Sequence, residues 1–266
     1  MLLALDIGNT NTTVGLFDGM NLVADFRLRS VRDRTADEYA AQIASLLLAR
    51  GLSLAVIDAV SMAYVVPPVG GALRDLSRRY FGVEPLIVTA QTDLGLSIAY
   101  DPPQSVGADR VVNAFAARQL YHDHQGNPVP CVIVDYGTAT TLDAVTQNGT
   151  YLGGALLPGA GISMDALFGH AALLSRVELT PPPAAIGRNT ADALRSGLLF
   201  GFAAQTDGMV RRFVSEMRER GEENIRVIAT GGIAPLIAPY CETLETVDVN
   251  LTLTGLRLAH ERQAVR

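Results

Sequence analysis

Two stretches of this sequence place an Asp and then a Gly where an apolar run ends. One is Asp6-Ile7-Gly8-Asn9-Thr10-Asn11-Thr12-Thr13 and the other is Asp135-Tyr136-Gly137-Thr138-Ala139-Thr140-Thr141. An Asp at a strand's end sends its carboxylate into the space beyond the sheet, where a divalent cation and its waters can sit. A Gly two residues later lets the backbone approach an anion with no Cβ in the way. Asn, Thr and successive backbone N–H groups supply short donors for phosphate oxygens. A single Asp-x-Gly is most often a turn that caps its own backbone. Its recurrence with the same residue types in the same order points to phosphate binding in the service of phosphoryl transfer.

Thr230-Gly231-Gly232 adds a glycine pair after the run Arg226–Ala229, where a ribose or adenine could lie close to backbone. Gly107-Ala108-Asp109-Arg110 opens an apolar helical stretch. A carboxylate there could take a proton from a substrate hydroxyl, and the Arg could hold a substrate carboxylate in a bidentate fork. Equally, Asp109 could favour its helix dipole and Arg110 a surface ion pair, and the residues alone leave both readings open.

Other candidates carry less. His122-Asp123-His124 has two metal-ligand types but no third ligand nearby in a polar stretch, and reads as a solvated loop. Ser163, Ser175 and Ser196 lack the Gly-x-Ser-x-Gly setting of a hydrolase nucleophile.

Composition narrows the chemistry. All 21 basic residues are Arg. Without Lys there is no Walker-type phosphate loop, no protein-kinase strand lysine and no Schiff-base amine. Any phosphate cradle must therefore use backbone N–H groups, hydroxyls, Arg and metal ions. The formal net charge of −6 gives no basic footprint for nucleic acid. Cys131 and Cys241 form neither a C-x-x-C nor a disulfide framework. The chain opens on a strand-like run in place of a secretion leader, and no apolar stretch reaches the length of a membrane helix. The expectation is a soluble, cytoplasmic protein that contacts no membrane.

These residues need elements to hold them. Leu2–Ile7, Thr12–Phe17 and Asn21–Arg29 read as strands joined by tight turns. Thr35-Ala36-Asp37-Glu38 is a capping box ahead of a helix through Ala49. A strand follows at Ala55–Ala63, then a helix at Val69–Phe81 after Pro67-Pro68 has ended that strand, and a strand at Pro85–Thr89. After the polar segment His122 to Pro130 the pattern restarts. Strands are expected at Val132–Asp135, Thr140–Thr146 and Tyr151–Leu156, then a long helix from Thr190 to Arg220 and a last helix at Thr252–Arg262. Two halves that each begin strand, Asp-x-Gly turn, strand, hairpin, strand imply two similar domains, expected at 1–117 and 118–266, with the last helix free to pack back on the first.

Taken with Gly153-Gly154, Pro158-Gly159 and Gly187-Arg188-Asn189-Thr190, these motifs resemble, in order and over nearly the whole chain, those of the type III pantothenate kinase family. The resemblance implies an α/β, duplicated actin-like (ribonuclease H-like) two-domain fold with mixed sheets and a nucleotide cleft between the domains. It implies phosphorylation of pantothenate by ATP to 4′-phosphopantothenate, the first step of coenzyme A synthesis, by a homodimer. By the same resemblance, Asp6, Ile7, Gly8, Asn9, Thr10, Asn11, Thr12, Thr13 and Thr138 bind ATP, with Asp6 positioning Mg²⁺ through water. Asp109 is the base on the pantothenate hydroxyl, and Tyr100, Gly107, Ala108, Arg110 and Thr190 contact that substrate. Asp135 holds a monovalent cation, K⁺ or NH₄⁺. Two positions depart from the pattern. Tyr64 stands where many members carry Ser, and Arg188 where relatives often carry Lys. An alternative within the family is a non-catalytic accessory factor in transcription, which retention of Asp6, Asp109, Arg110 and Asp135 disfavours.

Overall fold

A computed structural model describes residues 1–170 and 177–265; Ser175 lies outside the described residues. By its internal contacts the chain forms two units, one of Met1–Ala116 with Leu251–Arg266 and one of Ala117–Asn250.

In the first unit β1 (Leu2–Ile7) pairs antiparallel with β2 (Asn11–Asp18), and β2 with β3 (Asn21–Arg29). On its other side β1 pairs in parallel with β4 (Ala59–Tyr64), which pairs with the short β5 (Leu86–Ile87). The mixed sheet thus runs β3-β2-β1-β4-β5, and β6 (Ser97–Ile98) follows in the chain. β1 is buried along almost its whole length, as an uninterrupted apolar run in a central strand requires. Helix α1 (Ala36–Leu48) starts on a complete capping box. The Glu38 N–H donates to Thr35 Oγ1, and the Thr35 N–H donates to the Glu38 carboxylate. Its Tyr39, Ile43 and Leu47 join Leu3, Leu5, Val14 and Leu16 in one core.

Three local expectations are corrected. The segment before β4 is a 3₁₀ turn at Leu54–Val56, because ladder pairing with β1 begins only where Leu2 meets Ala59. Helix α2 (Pro67–Leu76) does not wait for Val69. Both prolines occupy its first turn, where a missing N–H costs no helical hydrogen bond. The helix then loosens into a π turn at Ser77–Phe81, closed by Gly82 at φ +71°. Helix α3 (Ala108–Leu120) carries the Gly-Ala-Asp-Arg motif at its start.

The second unit repeats the plan. β7 (Cys131–Tyr136) pairs antiparallel with β8 (Ala139–Val145), which pairs with β9 (Thr150–Pro158). Helix α4 (Ala160–His170) was not expected from sequence. Helix α5 (Thr190–Glu219) is capped by Asn189, whose Oδ1 accepts from the Asp192 N–H at 2.9 Å. β10 (Arg226–Thr230) lies parallel to β7, the short helix α6 (Ala234–Ile237) follows, and β11 (Thr246–Val247) lies beside β10. The core gathers Val132, Val134, Tyr136 and Leu142 under Leu199, Phe202, Ala203 and Val210 of α5.

The last helix, α7 (Leu251–Ala264), belongs with the first unit. A Cβ on Gly255 would stand 2.7 Å from Val112 Cγ1, so the absent side chain lets α7 lie directly on α3. Thr252 Oγ1 donates to Asn113 Oδ1 at 2.7 Å across that junction. Among the described residues no helix is long and apolar enough to cross a membrane.

Candidate functional site

The Asp6 turn is built by register. Asp6 opposes Thr13 on β2 and Ala63 on β4, and Ile7 opposes Thr12, so Gly8 to Asn11 form the turn. The Gly8 N–H closes it on Asn11 O at 3.0 Å. A Cβ at Gly8 would stand 3.1 Å from that same Asn11 O, so the glycine lets the turn close on itself, with its amide already used. Thr10 O accepts from the Ser30 N–H at 3.0 Å, which ties the turn to the end of β3. Asn9 and Thr10 are exposed, whereas Asp6, Asn11 and Thr13 are half-buried. Ile7 and Thr12 are fully buried, and Thr12 shares a 3.0 Å hydrogen bond with the Ser30 hydroxyl. Those two residues can reach a ligand only through backbone.

The Asp135 turn has the same design with one residue fewer. Tyr136 opposes Thr140, leaving Gly137, Thr138 and Ala139, and the Gly137 N–H donates to Ala139 O at 3.0 Å. Asp135 is half-buried and Thr138 exposed. Thr230 of β10 stands beside Asp135 in the parallel ladder, which brings the glycine pair to this turn. Gly231 has φ +93°, and a Cβ there would sit 2.6 Å from Asp135 Oδ1 and 2.6 Å from Tyr136 O. The carboxylate and a bare stretch of backbone thus line one spot at the carboxyl ends of β7 and β10, where open α/β sheets bind ligands. Gly159 does the same for α4. Its Cβ would meet Thr138 O at 2.2 Å, so the start of α4 rests on the turn.

Asp109 sits in the first turn of α3, with its carboxylate folded over Gly107. A Cβ at Gly107 would lie 2.5 Å from Asp109 Oδ1, and the Arg110 N–H donates to that oxygen at 2.9 Å. The side chain keeps partial access to solvent, yet its surroundings are dense. Burial pushes the Asp109 carboxyl above the usual Asp range, while the amide and charge of Arg110 pull against that rise without cancelling it. A carboxylate raised in this way is a better proton acceptor than a solvated one. Arg110 and Ala108 are buried, and Tyr100 is half-buried just ahead of this segment. Thr190 is the exposed first residue of α5. The Gly187 backbone lies against Ala193 so closely that a Cβ would stand 2.2 Å from its N.

The family model described as type III pantothenate kinase matches residues 2–212 of the chain. A curated type III pantothenate kinase from Desulfatibacillum aliphaticivorans is 46% identical over 263 residues, covering 98% of each chain. Another, from Anaeromyxobacter sp. (strain Fw109-5), is 46% identical over 262 residues, covering 98% of this chain and 99% of its own.

This chain belongs to the type III pantothenate kinase family.

Solved structures agree on the fold. One described as a Baf family transcriptional activator from Campylobacter jejuni has TM-score 0.57 at 19% identity, covering 99% of this chain and 100% of its own. One described as an N-acetylglucosamine kinase from Porphyromonas gingivalis has TM-score 0.53 at 13% identity, covering 99% and 100%. The two mixed sheets are those of the actin-like sugar-kinase fold. Tyr64 pairs with Ile7 beside the Asp6 turn, and its ring packs over Gly70 of α2, where a Cβ would be 2.6 Å from Cγ. Arg188 is exposed. Asp123 accepts from the Gln125 and Asn127 N–H groups at 2.8 and 2.9 Å, so it serves as the cap of its own turn. Sequence reading missed the contact of Gly231 with Asp135. Its only local signal was the glycine after a strand.

Proposed function

We infer that the protein transfers the γ-phosphoryl group of ATP to the terminal hydroxyl of pantothenate, giving 4′-phosphopantothenate and ADP. Membership of the type III pantothenate kinase family over the full chain carries this reading. Loose phosphoryl-transfer transition states ask a protein for positioning and charge neutralisation more than covalent chemistry. The chain's residues divide that work. Asn9, Thr10, Asn11 and Thr13, with the backbone of Ile7 and Thr12, cradle the ATP phosphates around the turn that Gly8 closes, and Thr138 adds a hydroxyl from the second turn. Asp109 takes the proton from the attacking hydroxyl, and its raised pKa supports that role. The Arg110 guanidinium matches the substrate carboxylate, with Tyr100, Gly107, Ala108 and Thr190 completing the substrate contacts.

Two cations fit the donors present. Asp6, half-buried at a strand end, would hold Mg²⁺ through water, and Asp135 with Tyr136 O beside Gly231 offers the oxygen ligands suited to K⁺ or NH₄⁺. When bound, these ions neutralise phosphate charge. A cytoplasmic homodimer is the expected working form.

The test is ADP release by the purified protein with and without pantothenate, in K⁺ and in Na⁺ buffer. Pantothenate-dependent release that is faster in K⁺ is expected. Absence of such release would overturn the reading and leave the accessory role.

A further inference from the structure

Tyr136 follows Asp135 at the end of β7, so its side chain leaves the opposite face of the sheet. There it is 2% exposed, packed against α5, and its hydroxyl stands 2.7 Å from Thr206 Oγ1. Thr206 is equally buried. Cys241 Sγ lies 3.8 Å from the same phenol. Burial pushes the phenol far above its usual range, so it stays neutral. The next residue of α5, Asp207, accepts from the N–H groups of Glu242 and Thr243 at 3.0 Å and from the Thr243 hydroxyl at 2.7 Å. Two adjacent residues of one helix therefore hold the end of β7 and the chain that follows the Gly231-Gly232 loop.

The ladder leaves a gap that this latch fills. Tyr136–Thr140 is the closing pair of the β7–β8 hairpin, and Gly231 presses on Asp135 Oδ1 and Tyr136 O from the neighbouring strand end. A terminal pair is where a strand frays, and here the residue ahead of it carries the carboxylate. We propose that Tyr136 and Thr206 form a positioning pair, which sets the Asp135 carboxylate for cation and nucleotide binding from the far side of the sheet. The proposal rests on the reading of Asp135 as a cation ligand.

Tyr136→Phe removes the hydroxyl and keeps the ring. It is expected to raise the K⁺ concentration for half-activation and the KM for ATP about five-fold each, roughly what one neutral hydrogen bond is worth, with kcat nearly unchanged. Thr206→Val should reproduce the effect, Thr206→Ser should restore near-native constants, and the double variant Tyr136→Phe/Thr206→Val should be no worse than either alone. A role confined to folding would lower Tm and leave both constants in place at temperatures well below it. Unmoved constants in Tyr136→Phe, or strictly additive effects in the double variant, would overturn the proposal. Asp135→Asn separates the two levels. If it abolishes the K⁺ response while Tyr136→Phe leaves it intact, only the positioning pair falls. If Asp135→Asn keeps a native K⁺ response, the reading of Asp135 falls and the proposal with it.

Discussion

Gly231 and Asp135 come from strands far apart in sequence, yet they touch so closely that a methyl group on the glycine would stand 2.6 Å from the carboxylate oxygen. Gly231 also adopts φ +93°, a region closed to most side chains. Ala at this position meets two obstacles at once, one in its own backbone and one in its neighbour. Gly231→Ala is expected to cost about 1–3 kcal/mol of stability from the backbone alone. It should also raise the KM for ATP, because relief of the contact must move Asp135 or the loop. Urea unfolding and steady-state kinetics on one preparation check both.

Asp109→Asn tests the proposed base. Turnover should fall by about 10²–10⁴-fold, the usual worth of a general base. Because burial raises the carboxyl pKa, the acid limb of kcat/KM should lie at higher pH than a solvated Asp would give. The stability sign follows from the same shift. The folded protein binds this proton more tightly than the unfolded chain does. Ionised Asp109 therefore costs stability as pH rises from the ordinary Asp value through the raised one. Asp109→Asn should unfold at equal or higher temperature than wild type at neutral pH, and a lower Tm would contradict this account.

Neighbouring threonines of β8 should respond oppositely. Thr140 Oγ1 is buried with no hydrogen-bond partner among the described residues, whereas Thr141 Oγ1 donates to the buried Asp143 carboxylate at 3.1 Å. Thr140→Val should be neutral or stabilising. Thr141→Val leaves a buried carboxylate short of a donor and should cost about 1–3 kcal/mol. Denaturant melts of the two variants decide the matter, and equal losses would refute the distinction.

Tyr64 and Gly70 should behave as a coupled pair. Gly70→Ala in the native background pushes a methyl into the Tyr64 ring and should destabilise by about 1–3 kcal/mol. In a Tyr64→Ser background the same change should cost much less. A double-mutant cycle reads the difference as a coupling energy.

Local chemistry was legible where one stretch of chain settles its own structure. Thr35 and Glu38 announced α1, and the two Asp-x-Gly strand ends announced their hairpins. Prolines misled at Pro67-Pro68, because a helix start tolerates what a strand interior cannot. Helix α4 has no capping side chain to announce it. Long-range features were beyond sequence reading. The parallel pairing of β10 with β7 is what delivers Gly231 to Asp135, and Thr206 is a mid-helix residue whose partner lies 70 positions away. The repeat itself concealed a difference. The first turn carries one residue more than the second, so the two motifs align in sequence but close with different hydrogen bonds.

The placement of α7 bears on how the protein is made. Leu253 fills the space over Gly15 in β2, and Gly255 seats the helix on α3. Those residues leave the ribosome only after the entire second unit. Domains of a nascent chain ordinarily fold in order of emergence. Here the earlier-born unit stays unfinished, its sheet and α3 uncovered along the α7 seam, until α7 itself has emerged. A chain stalled before Leu251 would hold a second unit able to fold and a first one that cannot close.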